Sequence, residues 1–379
     1  MTRARDVSRL ITTPPNIYAT DTETSSAGYL TNASASSTYQ TKASNQFPYR
    51  NLIINGAMQV AQRGTSASSL TTTGYRTADR WQFQITTQGT WTMSVENDAP
   101  TGSGFRKSTK VLCTTADASP AAGDVVLLSQ TIEGQNLQQI KKGTAAAEQL
   151  TVSFWVKSNV TGTYIVNLYD NDNARIISKS YTISASGTWE YKTITFPADT
   201  TGAFDNDNNL SLYVIWGLGA GSNMTSGTLA TTWQSAVEAN RYPGQTNVAS
   251  ATNNYWQITG IQLEVGDTAT PFEFKSVEDE LLECQRYFEW TEFFTTNWNN
   301  ASNTARTGVN WLVTKRRSPD VSLTSGYNQY GPGGQLTITG ISSVTSNSGG
   351  ALFTFSQSGG LTTNYPSTAS VVLKVDGEL

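Results

Sequence analysis

The chain has 379 residues, a net charge of −4, 14% charged side chains and no histidine. Its length allows two or three domains, each with a core of its own, while the missing imidazole excludes Ser-His-Asp and Cys-His nucleophiles, histidine-bearing metal sites and the ordinary general base near neutral pH. With no long basic run, nucleic acid is not an expected partner, and no stretch reaches the ~18 apolar residues of a membrane span.

Residues 1–50 are polar, rich in Ser, Thr and Ala, and broken by Pro14, Pro15 and Pro48. GYLTNAS and STYQTKAS read as two copies of a short unit led by Tyr29 and Tyr39. Such a segment cannot bury a core alone. It is either a flexible tail or a stalk in which several chains pack aromatic and small residues about a shared axis. Arg3, Arg5 and Arg9, interrupted by Asp6, form a basic cluster that reads as solvated or as docking on a partner. The opening MTRARDV lacks the apolar centre of a signal peptide, so synthesis and folding in a cytoplasm are expected.

From Asn51 to Gly266 apolar and aromatic residues alternate in short runs. Trp81, Phe83 and Ile85 share one parity, as do Trp91, Met93 and Val95, and Leu150, Val152, Phe154 and Val156. Turns rich in Gly, Asn, Asp and Ser separate the runs, and no helical period persists, which predicts an antiparallel sandwich. Pairing Ser158 with Gly162 as a hairpin sets Val156 opposite Tyr164, Phe154 opposite Val166 and Val152 opposite Leu168. The other face then carries Trp155, Ser153, Thr151, Ile165, Asn167 and Tyr169. Sugar recognition needs flat aromatic faces and polar groups that fix hydroxyls, so Trp155, Asn167 and Tyr169 are the candidate glycan contacts; packing under a loop or a neighbouring subunit is the competing reading.

Two turns, Asp170–Asn173 and Asp205–Asn208, both read DNDN. Clustered Asp and Asn oxygens suit a structural calcium ion, yet these residues also occupy tight turns most often, and the spacing is not that of an EF-hand; the turn reading is preferred and no cofactor is expected. Residues 221–254 form a long polar excursion in which Trp233, Arg241, Tyr242 and Pro243 predict a folded loop lying against the sandwich. Cys113 sits in a strand-like run and Cys284 in a helical stripe, so both read as packed, reduced thiols.

From Tyr255 to Val265 a strand is expected with Tyr255, Ile261, Leu263 and Val265 on one face, followed by a break at Pro271. Ser276 and Asp279 resemble a capping box, and Val277, Leu281, Cys284 and Phe288 recur at helical spacing. Glu278, Asp279, Glu280 and Glu283 read as the solvated face of that helix and not as catalytic carboxylates. Residues 291–379 show a second β pattern, with a turn at Asn347–Gly350.

The stretch from Trp256 to Trp290, with NLIINGAMQVAQRG (51–64) and YRTADRWQF (75–83), resembles the carbohydrate-binding-module-like jelly roll of bacteriophage tail fibres and related virion appendages. The resemblance implies an all-β chain: an attachment or stalk segment (1–50), an antiparallel jelly-roll sandwich (51–275), one short connecting helix (276–290) and a smaller C-terminal β-sandwich domain (291–379). It also implies a non-enzymatic subunit of the virion, assembled in the host cytoplasm as a homotrimer, held to another virion protein through residues 1–50 and Arg3, Arg5 and Arg9, and binding host-surface glycan. The alternatives are a purely structural adaptor or head-fibre protein and, third, a polysaccharide-degrading tailspike.

Overall fold

A computed structural model describes residues 49–298, 304–324, 328–331, 334–358 and 366–378. Arg3, Arg5, Arg9, Tyr29 and Tyr39 lie outside the described residues. Tyr49–Leu379 forms one compact unit.

The first part of that unit contains β1 (Ser66–Leu70), β2 (Gly74–Tyr75), β3 (Gln82–Thr86), β4 (Thr90–Glu96), β5 (Ser108–Thr115), β6 (Val125–Glu133), β7 (Leu150–Ser158), β8 (Gly162–Asp170), β9 (Arg175–Ile183), β10 (Glu190–Phe196), β11 (Leu210–Ala220), β12 (Gln234–Ser235) and β13 (Tyr255–Val265). They form two antiparallel sheets, β1-β4-β5-β13-β7-β10 and β12-β9-β8-β11-β6-β3-β2. Their inward faces enclose one core that includes Trp81, Phe83, Trp91, Phe154, Trp216 and Trp256. The alternation read from the sequence is what buries these side chains, since every second residue of each strand points between the sheets.

Three local expectations need correction. β7 and β8 are not a hairpin: β7 pairs with β10 and β13, β8 with β9 and β11. Residues 159–161 carry the chain from one sheet to the other, so Val152, Phe154 and Val156 face Tyr164, Val166 and Leu168 across the core instead of beside them. The apolar parity is the same in both arrangements, and parity alone does not separate them. In β13 the face changes midway: Trp256 and Ile258 point inward before a register shift between Thr259 and Gln262, and Ile261 and Leu263 after it. Gly260 carries the shift at φ 63° beneath the Phe105 ring, where an added Cβ would lie 2.6 Å from ring carbon. In helix α1 (Val277–Gln285) the cap is as expected, Ser276 Oγ accepting from Asp279 N at 3.1 Å, but Val277 is exposed and Glu280 is buried with Cys284. The Glu280 carboxylate turns inward because it accepts the Asn55 backbone N–H.

The NLIING run before β1 is a buried plug. Asn55 Nδ2 donates to Val60 O at 2.8 Å and Asp79 O at 3.0 Å, and Trp81 Nε1 donates to Asn55 O at 3.1 Å. The excursion 221–254 folds against the second sheet, as expected, with Tyr242 buried on Val125, Leu127, Ile165 and Ile215. Both cysteines are buried free thiols.

The C-terminal part contains β14 (Phe288–Trp298), β15 (Thr304–Asn310), β16 (Asp320–Leu323), β17 (Asn328–Gly331), β18 (Gly334–Ser346), β19 (Gly350–Ser358) and β20 (Pro366–Asp376). The small sandwich expected here is realised as one hydrogen-bonded sheet, β14-β20-β17-β18-β19-β15, with β16 also on β20. Its core includes Trp311, Phe353, Val371, Leu373 and Val375. The turn expected at Asn347–Gly350 is closed by Asn347 Oδ1, which accepts from Gly349 N at 2.8 Å and Gly350 N at 3.0 Å.

A polar network joins this sheet to the sandwich. Glu133 accepts from Arg286 Nη2 at 2.7 Å and Tyr287 Oη at 2.5 Å; burial alone would raise its carboxyl, but these bonds outweigh it and hold the group below its ordinary value. Arg80, stacked 3.5 Å over the Tyr287 ring, pairs with Glu378. Nearby Asp79 is raised from 3.8 to about 6, chiefly by burial, against bonds from Gln62 and the field of Arg63. A folded value above the unfolded one means that the Asp79 contribution is complete below the unfolded value and lost as pH rises through about 6. Asp79→Asn should therefore gain on the wild type in urea midpoint between about pH 4 and about pH 7. A difference between the two that stays flat across that range would contradict the assignment.

Candidate functional site

The outer face of the second sheet carries a cleft of about 300 Å³ lined by Gln84, Tyr169, Asn171, Tyr213, Ile215, Glu238 and Arg241. Its floor is made by neighbouring strands. Tyr213 on β11 lies directly opposite Tyr169 on β8, and Ile215 opposite Asn167. These residues are out of phase with the core positions Leu212, Val214 and Trp216, so the pleat delivers them to the outside. The two tyrosine rings are 6.1 Å apart between centres and inclined at 75°, and both are half-buried. Burial is the main cause that raises the Tyr213 hydroxyl, reinforced by Tyr169, so it stays a neutral donor and acceptor near neutral pH.

The wall comes from the excursion. Arg241 Nη1 donates to Glu238 Oε2 at 2.9 Å, and Nη2 to Asn167 Oδ1 at 3.3 Å. The guanidinium carbon stands 5.4 Å from the ring centres of both Tyr169 and Tyr242. Burial would lower Arg241, but Tyr242 and Glu238 beside it hold it above its ordinary value. The cation is thus locked against an aromatic floor, with its Nε buried and without a hydrogen-bond partner. Gln84 Nε2 donates to Gln82 Oε1 at 2.7 Å and Ser129 Oγ at 3.0 Å, which fixes the amide at the other end of the cleft.

The three candidate glycan contacts do not come together. Tyr169 is in this cleft. Asn167 is fully buried beneath it, donating to Ser178 Oγ at 3.0 Å and Ile177 O at 3.2 Å, and acts on the cleft only by positioning Arg241. Trp155 is on the outer face of the other sheet, because β7 and β8 belong to different sheets. Tyr213, Gln84 and Glu238 were not singled out from the sequence. For Tyr213 the signal was present as an aromatic residue of outward parity in NLSLYVIWGL; for Glu238 no sequence signal exists.

The Asp170 oxygens considered for calcium are bonded to an amine instead. Lys142 Nζ donates to Asp170 Oδ2 at 2.6 Å, and to the carbonyls of Thr201 at 2.8 Å and Gly202 at 2.7 Å. At the Asp205 turn, Asp205 N donates to Asp172 Oδ2 at 3.0 Å, which ties the two DNDN turns together.

No protein-family model and no curated protein matches the chain. Among solved structures it is similar in part to the enzymatically active domain of tailspike protein 4 of bacteriophage CBA120, at 15% identity and a TM-score of 0.33 over 58% of this chain and 22% of that one. It is also similar to TmCBM61, solved with β-1,4-galactotriose, at 11% identity and a TM-score of 0.29 over 57% of this chain and 99% of that one. A family 11 carbohydrate-binding module from Clostridium thermocellum, in complex with a β-1,3-1,4-mixed-linked tetrasaccharide, aligns at 10% identity and a TM-score of 0.27 over 54% of this chain and 97% of that one.

Proposed function

We propose that the chain is a non-enzymatic subunit of a bacteriophage virion appendage that binds host-surface glycan through the cleft of Tyr169, Tyr213 and Arg241. The observation that carries this reading is the combination of two half-exposed rings with fixed amide, guanidinium and carboxylate groups in one shallow cleft. Ring faces take the C–H faces of a sugar, and the polar groups take its hydroxyls. Glu238 is the one carboxylate among the lining residues and is already paired with Arg241. Glycoside hydrolysis uses two carboxylates across the scissile bond, so this cleft is suited to holding a sugar and not to cutting it.

In this reading the full chain projects from the particle as a homotrimer and is anchored through residues 1–50. Light scattering should give three chain masses, and fluorescently labelled protein should stain host cells. Tyr213→Ala should keep that mass and a cooperative unfolding transition while weakening cell binding by roughly tenfold or more, the effect of losing an aromatic anchor. Undiminished staining by the variant would remove the cleft from the function, and a wild type that stains no host cells would favour the purely structural alternative. Release of oligosaccharide from host polysaccharide by the wild type would establish the tailspike alternative.

A further inference from the structure

Trp155 is left without a role by the cleft, yet its surroundings are ordered. Tyr191 lies directly opposite it on β10, with ring centres 5.2 Å apart and planes inclined at 47°. Tyr191 is 46% exposed and Trp155 half-buried, both on the parity that faces away from Val152, Phe154 and Val156. A third ring, Trp189, precedes Tyr191 by two residues and so shares its parity. Its Nε1 donates to Asp98 Oδ1 at 3.2 Å, and Lys157 Nζ stands 5.1 Å from its centre. Lys157 also pairs with Asp98, and Gln257, opposite Lys157 on β13, donates to the same carboxylate at 3.2 Å.

None of these rings belongs to the sandwich core. Their fixed orientations lower the ordering cost of binding a ligand, because the rings lose little freedom when something lies on them. The charges at this site compensate each other, so it offers no net field to an ionic ligand. What it does offer is aromatic surface with exposed hydroxyls on the same strand face, Thr193 among them. That is the chemistry of a neutral saccharide: C–H faces on the rings, hydroxyls on the rim.

We propose that Trp155, Tyr191 and Trp189 form a second platform for an uncharged saccharide, on the face of the sandwich opposite the cleft. It stands on its own geometry and does not require the cleft to bind. With sites on two opposite faces, one chain bridges two glycan strands, and attachment gains by effective concentration without any new contact.

The test is calorimetric titration of the full chain with neutral oligosaccharides of galactose, glucose, xylose and mannose, followed by the variants Tyr191→Ala, Tyr191→Phe and Tyr213→Ala. Two sites per wild-type chain are expected. Tyr191→Ala should leave one, Tyr191→Phe, which keeps the ring, should leave both, and Tyr213→Ala should remove only the other. Binding that Tyr213→Ala abolishes and Tyr191→Ala does not touch would overturn the platform while preserving the cleft. The reverse pattern would support the platform and count against the cleft. A wild type that binds no member of the series would overturn both.

Discussion

Phe154→Ala is expected to destabilise the protein by about 3–5 kcal/mol. Phe154 is fully buried on β7, which is flanked by β13 and β10. Its ring meets Tyr181 edge-on at 5.1 Å and Trp216 at 5.6 Å, both contributed by the opposite sheet. Tyr181 in turn accepts from Trp256 Nε1 at 3.2 Å, so the surrounding rings are tied and cannot collapse into the space left behind. That places the cost towards the upper end of the range, since residual cavity volume adds to the lost transfer energy. Trp155→Ala, one residue on and facing outward, should cost much less. Urea unfolding of the two variants decides the matter, and a larger loss for Trp155→Ala would reverse the assignment of faces.

Lys142→Met should cost about as much, roughly 3–5 kcal/mol, by leaving a buried charge unpaired. Besides Asp170 and the two carbonyls, Lys142 Nζ lies 3.1 Å from Asp199 Oδ2, and its side chain is 2% exposed beneath the rings of Phe204 and Trp233. Asp199 would keep Arg175, whose Nε and Nη2 donate at 2.8 and 3.0 Å. Asp170 is fully buried and would keep only the donors of Asn173. Adding Asp170→Asn to Lys142→Met should therefore restore much of the loss, a coupling that a double-mutant cycle measures directly. A single Lys142→Met variant as stable as the wild type would show that water or another group satisfies Asp170.

The inward faces of the sandwich strands were legible because burial imposes a period of two on each strand. Which strand lies beside which was not. Val152, Phe154 and Val156 meet Tyr164, Val166 and Leu168 whether the chain turns back within one sheet or crosses to the other, and that ambiguity divided the candidate site residues between two faces. The face change at Gly260 was hidden for a related reason: a bulge alters parity without altering composition. In the site itself, Tyr169 was found from its outward parity in an aromatic strand, and the packing of Tyr242 followed from size and apolarity. The pairing of Arg241 with Glu238 and Asn167, and the ammonium of Lys142 between two aspartates, depend on loops meeting in space. No local pattern records such meetings.

The place of β13 between β5 and β7 governs how the protein is made. Until Tyr255–Val265 has left the ribosome, the first sheet exists only as two fragments, β1-β4-β5 and β7-β10, each with an open edge. Asn51, whose Oδ1 accepts from Leu263 N at 3.1 Å, waits for the same strand across 212 positions of sequence. Pairings of such separation carry a large loop-closure cost and form late. The nascent chain thus presents unpaired strand edges for most of its synthesis, a period in which neighbouring chains on one message are the readiest wrong partners.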